Sequence, residues 1–210
     1  LFEADRFVGL EQQQCEERMF FLSKPSENVV RHFLAAQESS RFSYSDVGES
    51  KGGAGPAGHA IDHSRVQLGL GIETFERAKI AIGQWKMFAI PWVQLCWSDA
   101  PIRAGTNVAI LISHFGFWSL NAARIVYLVD DSGPCERYGF AYGTLLEHGE
   151  RGEERFTVEF DTRNGTVWYD LFAFSRPGIA ARIAYPWARS LQKRFRVDSQ
   201  RAMRDAVKSS

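Results

Sequence analysis

The stretch E-R-F-T-V-E-F-D-T-R-N-G-T-V-W-Y-D-L-F-A-F, Glu154 to Phe174, decides the fold. Two segments rich in β-branched and aromatic residues flank Arg163-Asn164-Gly165, and an Asn-Gly pair is the strongest short hairpin signal. Glu154–Phe160 and Thr166–Phe174 therefore read as neighbouring antiparallel strands. Working backwards, the same two-residue period holds in Arg137–Leu145, Ala123–Val129, Thr106–Phe115 and Trp92–Trp97. Ala104-Gly105 and Asp131-Ser132-Gly133-Pro134 supply turns between them. Links this short predict an antiparallel meander of about six strands rather than a βαβ sheet.

Working outward, the period becomes helical after Ser175-Arg176-Pro177-Gly178. Trp187, Leu191, Phe195, Ser199 and Met203 step by four, and Arg189, Lys193, Arg194, Arg196, Arg201 and Arg204 fill much of the rest. A long amphipathic helix is expected from Pro186 to Val207, with a basic face that reads as solvated. On the N-terminal side, Arg18–Leu22 reads as a strand, and Ser26 as the N-cap of a helix from Glu27 to about Glu38. Phe42, Tyr44 and Val47 give a weak strand, and Ser50 to Gly58 a flexible Gly-rich loop. Phe75, Ala78, Ile82 and Trp85 share one face of a second helix, Ile72–Phe88. The order predicts a single α+β domain over residues 1–210, its first fifteen residues loosely ordered. In it a curved antiparallel sheet of about six or seven strands grips the long C-terminal helix, with two shorter helices beside it.

Composition narrows the function classes. The chain has 210 residues, with 25 Lys plus Arg against 25 Asp plus Glu, so no basic excess favours nucleic acid. No apolar run approaches the ~18 residues of a membrane span, so no integral membrane segment is expected. Cys15, Cys96 and Cys135 are odd in number and widely spaced, which fits a reducing cytoplasm and neither a disulfide framework nor a zinc site. Gly69-x-Gly71 lacks the third glycine of a dinucleotide fingerprint, so no cofactor is expected. Aromatic residues make up 13% of the chain, including 16 Phe and 6 Trp. Those rings either fill the space between sheet and helix or line it as a cavity. The zero net charge favours a neutral or weakly anionic small ligand over a polymer.

Several motifs occur together: R-Y-G-F-A-Y-G-T-L (Arg137–Leu145), H-G-E-R-G-E-E-R-F (His148–Phe156), V-W-Y-D (Val167–Asp170), A-F-S-R-P (Ala173–Pro177) and D-H-S-R-V-Q-L-G (Asp62–Gly69). From about Phe42 to Ala206 the chain resembles a bacterial and plant family known as domain of unknown function nineteen-ninety. That family in turn looks START-like, sharing the helix-grip fold of lipid-transfer proteins, polyketide cyclases and plant hormone receptors. The resemblance implies the fold and carries over no catalytic residues.

Candidate site residues follow from side-chain chemistry. Asp62-His63-Ser64-Arg65 reads as a loop at a cavity mouth, where His63 could shift protons and Arg65 could clamp a carboxylate. The alternative is a loop pinned by its own hydrogen bonds. Arg124, alternating with apolar residues, and Arg176, at the junction of last strand and closing helix, are candidate ligand cations or structural clamps to Glu153 or Glu154. Tyr138, Phe140, Tyr142 and Thr144 share one strand face opposite the small residues Gly139, Ala141 and Gly143. Tyr142 is a cavity donor only if the small face turns away from the helix. His148, Glu153 and Glu154 are candidate acid–base groups, or else members of a solvated hairpin turn. The function expected is binding of a small hydrophobic ligand, lipid or polyketide-like, between sheet and helix. The alternatives are a cyclase, dehydratase or hydrolase in the same cavity, and a protein-interaction module with a filled core.

Overall fold

The computed structural model describes residues 20–97, 99–146, 150–177 and 185–208. The expectations for residues 1–15, Cys15 and His148 lie outside these, as does the first part of the Arg18–Leu22 strand. In chain order the elements are β1 (Phe20–Phe21), α1 (Glu27–Ala36), β2 (Ala60–Leu70), α2 (Ile72–Gly83), β3 (Val93–Cys96), β4 (Asn107–His114), β5 (Phe117–Asp131), β6 (Cys135–Thr144), β7 (Glu150–Asp161), β8 (Thr166–Pro177) and α3 (Tyr185–Lys208). The sheet has eight strands in the order β2-β8-β7-β6-β5-β4-β3, with β1 added against β5. Every pairing is antiparallel, and the helix-grip class read from the sequence is the class observed.

The hairpin that opened the argument forms, with Asp161 opposite Thr166. Its loop is four residues long, because Asp161 accepts from the Arg163 backbone and guanidinium, which folds the chain back before Asn164. Gly165 then takes a left-handed φ of 71°, and Asn164 Oδ1 accepts from the backbone N–H of Thr166 at 2.9 Å.

Three local readings are corrected. Asp62–Arg65 is no loop: it lies within β2, an edge strand paired with β8 from Ala60↔Ser175 to Leu70↔Thr166. Phe42–Val47 is no strand beyond one bridge, Phe42↔Leu145, because Gly48 at φ 92° turns the chain into a 3₁₀ turn, Glu49–Gly52. The second helix stops at Gly83 rather than Phe88. Trp85 adopts a left-handed φ of 55°, buries its ring 4.7 Å from that of Phe140, and donates Nε1–H to the carbonyl of Ala100. A short 3₁₀ turn, Lys86–Phe88, completes the connection.

Both faces of the sheet are covered. On the inner face, α2 and α3 pack through Phe75, Ile82, Met203 and Val207 onto Val158, Val167 and Phe140. The stripe of α3 that steps by four points inward over its described members: Leu191 and Phe195 pack against the core, Ser199 and Met203 are fully buried, and the Ser199 hydroxyl is hydrogen-bonded to Tyr169 at 2.8 Å, while the Trp187 side chain lies outside the described ones. On the outer face, α1 packs Val30 and Phe33 against Leu111, Leu120 and Leu145. Ser26 caps α1 by accepting from Val29 N–H. Further along the outer face, Tyr44, Phe172 and Phe174 form a smaller cluster under the 42–53 segment. No helix among the described residues is long and apolar enough to cross a membrane.

Candidate functional site

A cavity of about 590 Å³ lies between the inner face of the sheet and α3. Its apolar wall includes Phe88, Trp92, Ile110, Leu171, Leu191 and Phe195. The space exists because β5 carries Ser119 and Asn121 inward where bulkier side chains would fill it, and because β8 offers Ala173. Those two polar positions are also why the sequence pattern shows β5 only from Ala123 onward. The β6 face question is settled by its small residues. A Cβ on Gly143 would stand 2.0 Å from the Tyr44 hydroxyl, so the small face must lie under the 42–53 segment. Phe140, Tyr142 and Thr144 consequently face the helix side, and Tyr142 and Thr144 line the cavity.

On the β2–β8–β7 side the wall becomes polar. Asp62 on β2 is buried and accepts from two guanidiniums of α3, Arg189 and Arg196, the latter at 2.6 Å. Gln192 accepts from Arg189 at 2.6 Å and donates to Glu150 and, at 3.1 Å, to the Ser175 hydroxyl. One strand over, the Tyr142 hydroxyl donates to Glu154 Oε2 at 2.7 Å. Among the described residues Glu154 makes no ion pair. Glu154 is half-buried on the cavity wall, and its burial pushes its carboxyl up to about 7. The Tyr142 hydrogen bond and Arg196 pull it back, while Glu150 and Asp62 add to the rise. Burial also raises Glu150, as well as Tyr142 and Tyr169, which stay neutral phenols. His114, on the β4–β5 side of the cavity, is pushed down by burial and held toward its neutral form. Three carboxylates, Asp62, Glu150 and Glu154, thus face two guanidiniums in this cluster. The local excess is acidic, opposite in sense to the weakly anionic ligand that the net charge of the chain suggested.

The other expected residues are placed elsewhere. Side chains alternate along β2, so Asp62, Ser64 and Val66 turn to the helix side and His63 and Arg65 to the outer face. His63 Nε2 lies 2.6 Å from Asp170, which also accepts from Arg155 at 3.0 Å. Arg65 donates to Glu159 at 2.6 Å and lies 4.4 Å over the Trp168 ring. Arg124 donates to the carbonyls of Gln37, Glu38 and Ser40 and to Asn107, and so caps the C-terminal end of α1. Arg176 is exposed on β8, opposite Arg151. Neither arginine clamps Glu153 or Glu154. Glu153 is 2% exposed rather than solvated, and accepts from Tyr44 Oη, Gly48 N, Ser50 N and Ser50 Oγ. The same contacts pin the start of the Gly-rich loop, whose Ser50 is buried.

Of the expected site residues, the structure brings Tyr142 and Glu154 together at the cavity. It adds Asp62, Glu150, Arg189, Gln192 and Arg196. One signal for these was present: Arg189 and Arg196 are seven apart, two helical turns, and therefore share a face of α3. The helix's basic residues are to that extent not all solvated. Among the described residues no group of three or more His, Cys, Asp or Glu is placed to hold a metal ion.

A family model described as a domain of unknown function, DUF1990, matches residues 43–202. The chain is 34% identical over 211 residues to a UPF0548 protein of Dictyostelium discoideum, covering 91% of this chain and 97% of that one. It is 39% identical over 188 residues to a UPF0548 protein of Deinococcus radiodurans, covering 84% and 92%. Relatives thus occur in bacteria and in eukaryotes. Among solved structures it is similar to Ara h 8.0201, with a TM-score of 0.48 and 11% identity over 73% of this chain and 100% of that one. It is also similar to TTHA0849 from Thermus thermophilus, with a TM-score of 0.47 and 14% identity over 72% and 100%.

Proposed function

We propose that this chain, which belongs to the DUF1990 family, binds a small, mostly apolar ligand in the cavity between its sheet and α3. The observation that carries the reading is the cavity itself. Its volume of about 590 Å³ falls within the ~300–1,000 Å³ of small-molecule sites, with aromatic and aliphatic walls and a few convergent polar groups at one side. The apolar wall supplies affinity, and Glu154, Tyr142 and the Asp62 cluster orient the ligand's polar end. A core that served only packing would have no use for this space, since protein interiors normally close such voids. The test is native mass spectrometry of protein purified from its own host, alongside Ala173→Leu and Ala173→Trp, which fill the cavity from β8. A copurifying small molecule that is lost from either folded variant supports the reading. An empty wild-type protein that also takes up no neutral amphiphile such as decanol overturns it.

A second reading, an enzyme in the same cavity, is favoured by one specific observation. Glu154 is a carboxyl held near neutrality in an apolar site, 2.7 Å from a phenol. The proton-transfer role that the sequence suggested for His63 or His148 would then fall to Glu154, with Tyr142 positioning it. In that case Glu154→Gln binds the ligand yet no longer converts it, and an unconverted ligand on the wild type removes this reading.

A further inference from the structure

Resting on that reading of the cavity, we propose that the ligand carries a protonated nitrogen that docks against Glu154, with its apolar body along Phe88, Phe195 and Leu171. The argument is one of charge placement. Both guanidiniums that reach this side of the cavity are committed to Asp62, 127 and 134 residues away in the chain. Glu154 instead receives a neutral phenol. Glu154 shares the cavity wall with Phe88, Phe195, Glu150 and Asp62 and makes no ion pair among the described residues, while Arg196, whose charge favours its ionised form, is hydrogen-bonded to Asp62. Buried charges are ordinarily paired, and a cationic ligand would supply the contact partner that no side chain among the described residues gives Glu154.

The alternatives fit less well. An anionic head group would enter a wall that already holds three carboxylates. A purely neutral head group needs only hydrogen bonds, which a glutamine would offer without the cost of burying an acid. A protonated nitrogen on an apolar body satisfies both halves of the cavity at once.

Proton linkage gives a signature that packing alone would not. Five groups bear on Glu154: Tyr142 from β6, Asp62 from β2, Glu150 from its own strand, Tyr169 from β8 and Arg196 from α3, and Arg189 of α3 pairs with Asp62 beside them. A cation beside Glu154 favours its ionised form. Amine binding near pH 7 must therefore release a proton, and amine affinity must rise between pH 5 and pH 8. An uncharged ligand shows neither effect.

The experiment is isothermal titration of the full chain with decylamine, decanol and decanoate, which share one apolar body and differ in head group. At pH 8 decylamine is expected to bind at least tenfold tighter than decanol, and decanoate weakest. Paired buffers of different ionisation enthalpy should show proton release near pH 7 for the amine alone. Glu154→Gln should abolish the amine preference, so that decylamine binds no tighter than decanol. Asp62→Asn, which frees two guanidiniums at the same wall, should weaken decylamine and strengthen decanoate, and it keeps the test alive if Glu154→Gln does not fold. Decanol or decanoate binding as tightly as decylamine overturns the proposal and leaves the binding reading standing, as does an amine preference that survives in Glu154→Gln. Failure of all three probes to bind overturns both.

Discussion

Glu153 and Glu154 are neighbours in the chain, and the pleat of β7 sends them to opposite faces of the sheet. On the outer face Glu153 collects four donors from the 44–50 segment and fastens that segment to the sheet. On the inner face Glu154 has one donor, Tyr142, and looks into the cavity. The two carboxyls show how differently one group is placed on the two faces of a strand. One is saturated by the protein's own hydrogen bonds, and the other has a single donor and borders the cavity.

The largest expected effect comes from breaking the saturated side. Glu153→Ala leaves the Tyr44 hydroxyl and two backbone N–H groups without their acceptor beneath a packed segment, and leaves the Ser50 hydroxyl with Tyr127 alone. Unsatisfied buried donors and a lost charge-assisted network together cost about 3–5 kcal/mol, read as a lower midpoint in urea. Increased protease cleavage between Ser50 and Gly58 should accompany it, since Ser50 anchors that loop. An unfolding midpoint within error of wild type would show that the outer network is not what fastens the segment.

On the inner face the sign reverses and depends on pH. The folded-state carboxyl of Glu154 is raised to about 7, well above its unfolded value. A raised carboxyl favours the folded state fully below the unfolded value, and that advantage is lost as pH climbs through about 7. The difference is on the order of 3 kcal/mol at ~1.4 kcal/mol per unit. Glu154→Gln removes the titration. It should therefore gain stability relative to wild type on going from pH 5 to pH 8, by up to about that amount, measured as the difference between paired urea curves. Parallel pH profiles for wild type and variant would mean Glu154 reaches water after all.

The contrast also explains which parts of the molecule the sequence made legible. The meander, the N-cap of α1 and the inward stripe of α3 all rest on short-range signals: strand alternation, a turn pair and a four-residue step. β2 was obscured because its inward positions Asp62 and Ser64 are polar, so D-H-S-R shows no apolar alternation. What makes Asp62 acceptable there is Arg189 and Arg196, on an element more than a hundred residues later. Face assignment failed for the same reason at His63 and Arg65: parity is known only once the strand is known. Tyr142 and Glu154 were identifiable as residue types, while their pairing depended on the β6–β7 register, Tyr142↔Glu154. Glu153 looked like a turn residue because its partners arrive from a segment that carries no regular pattern.

Tyr142→Phe sharpens the comparison by a smaller step. It takes away the one hydrogen bond that favours the ionised form of Glu154, so that carboxyl should titrate higher still. Carboxyl carbon NMR would follow it directly, with a stability loss of roughly 1 kcal/mol from the missing bond. A Glu154 titration that stays put or falls would place the control elsewhere in the cluster.

The smallest effects are expected where the sequence first pointed. His63→Ala leaves Asp170 still paired with Arg155, and Arg65→Ala removes an exposed contact to Glu159 and a stacked ring. Arg65–Glu159 is a surface pair and His63 is the exposed member of a pair whose Asp170 keeps Arg155, so each loss is expected to cost about 0–1 kcal/mol. Because both side chains lie on the face away from the cavity, retention of a cavity ligand, followed by native mass spectrometry, should match wild type in either variant. That result separates the two faces cleanly, since Glu154→Gln alters the cavity within the same sheet. Loss of ligand from His63→Ala would instead mean that the outer-face pair of His63 and Asp170 reaches the cavity through the β2–β8 ladder, and the division between a structural face and a binding face would have to be redrawn.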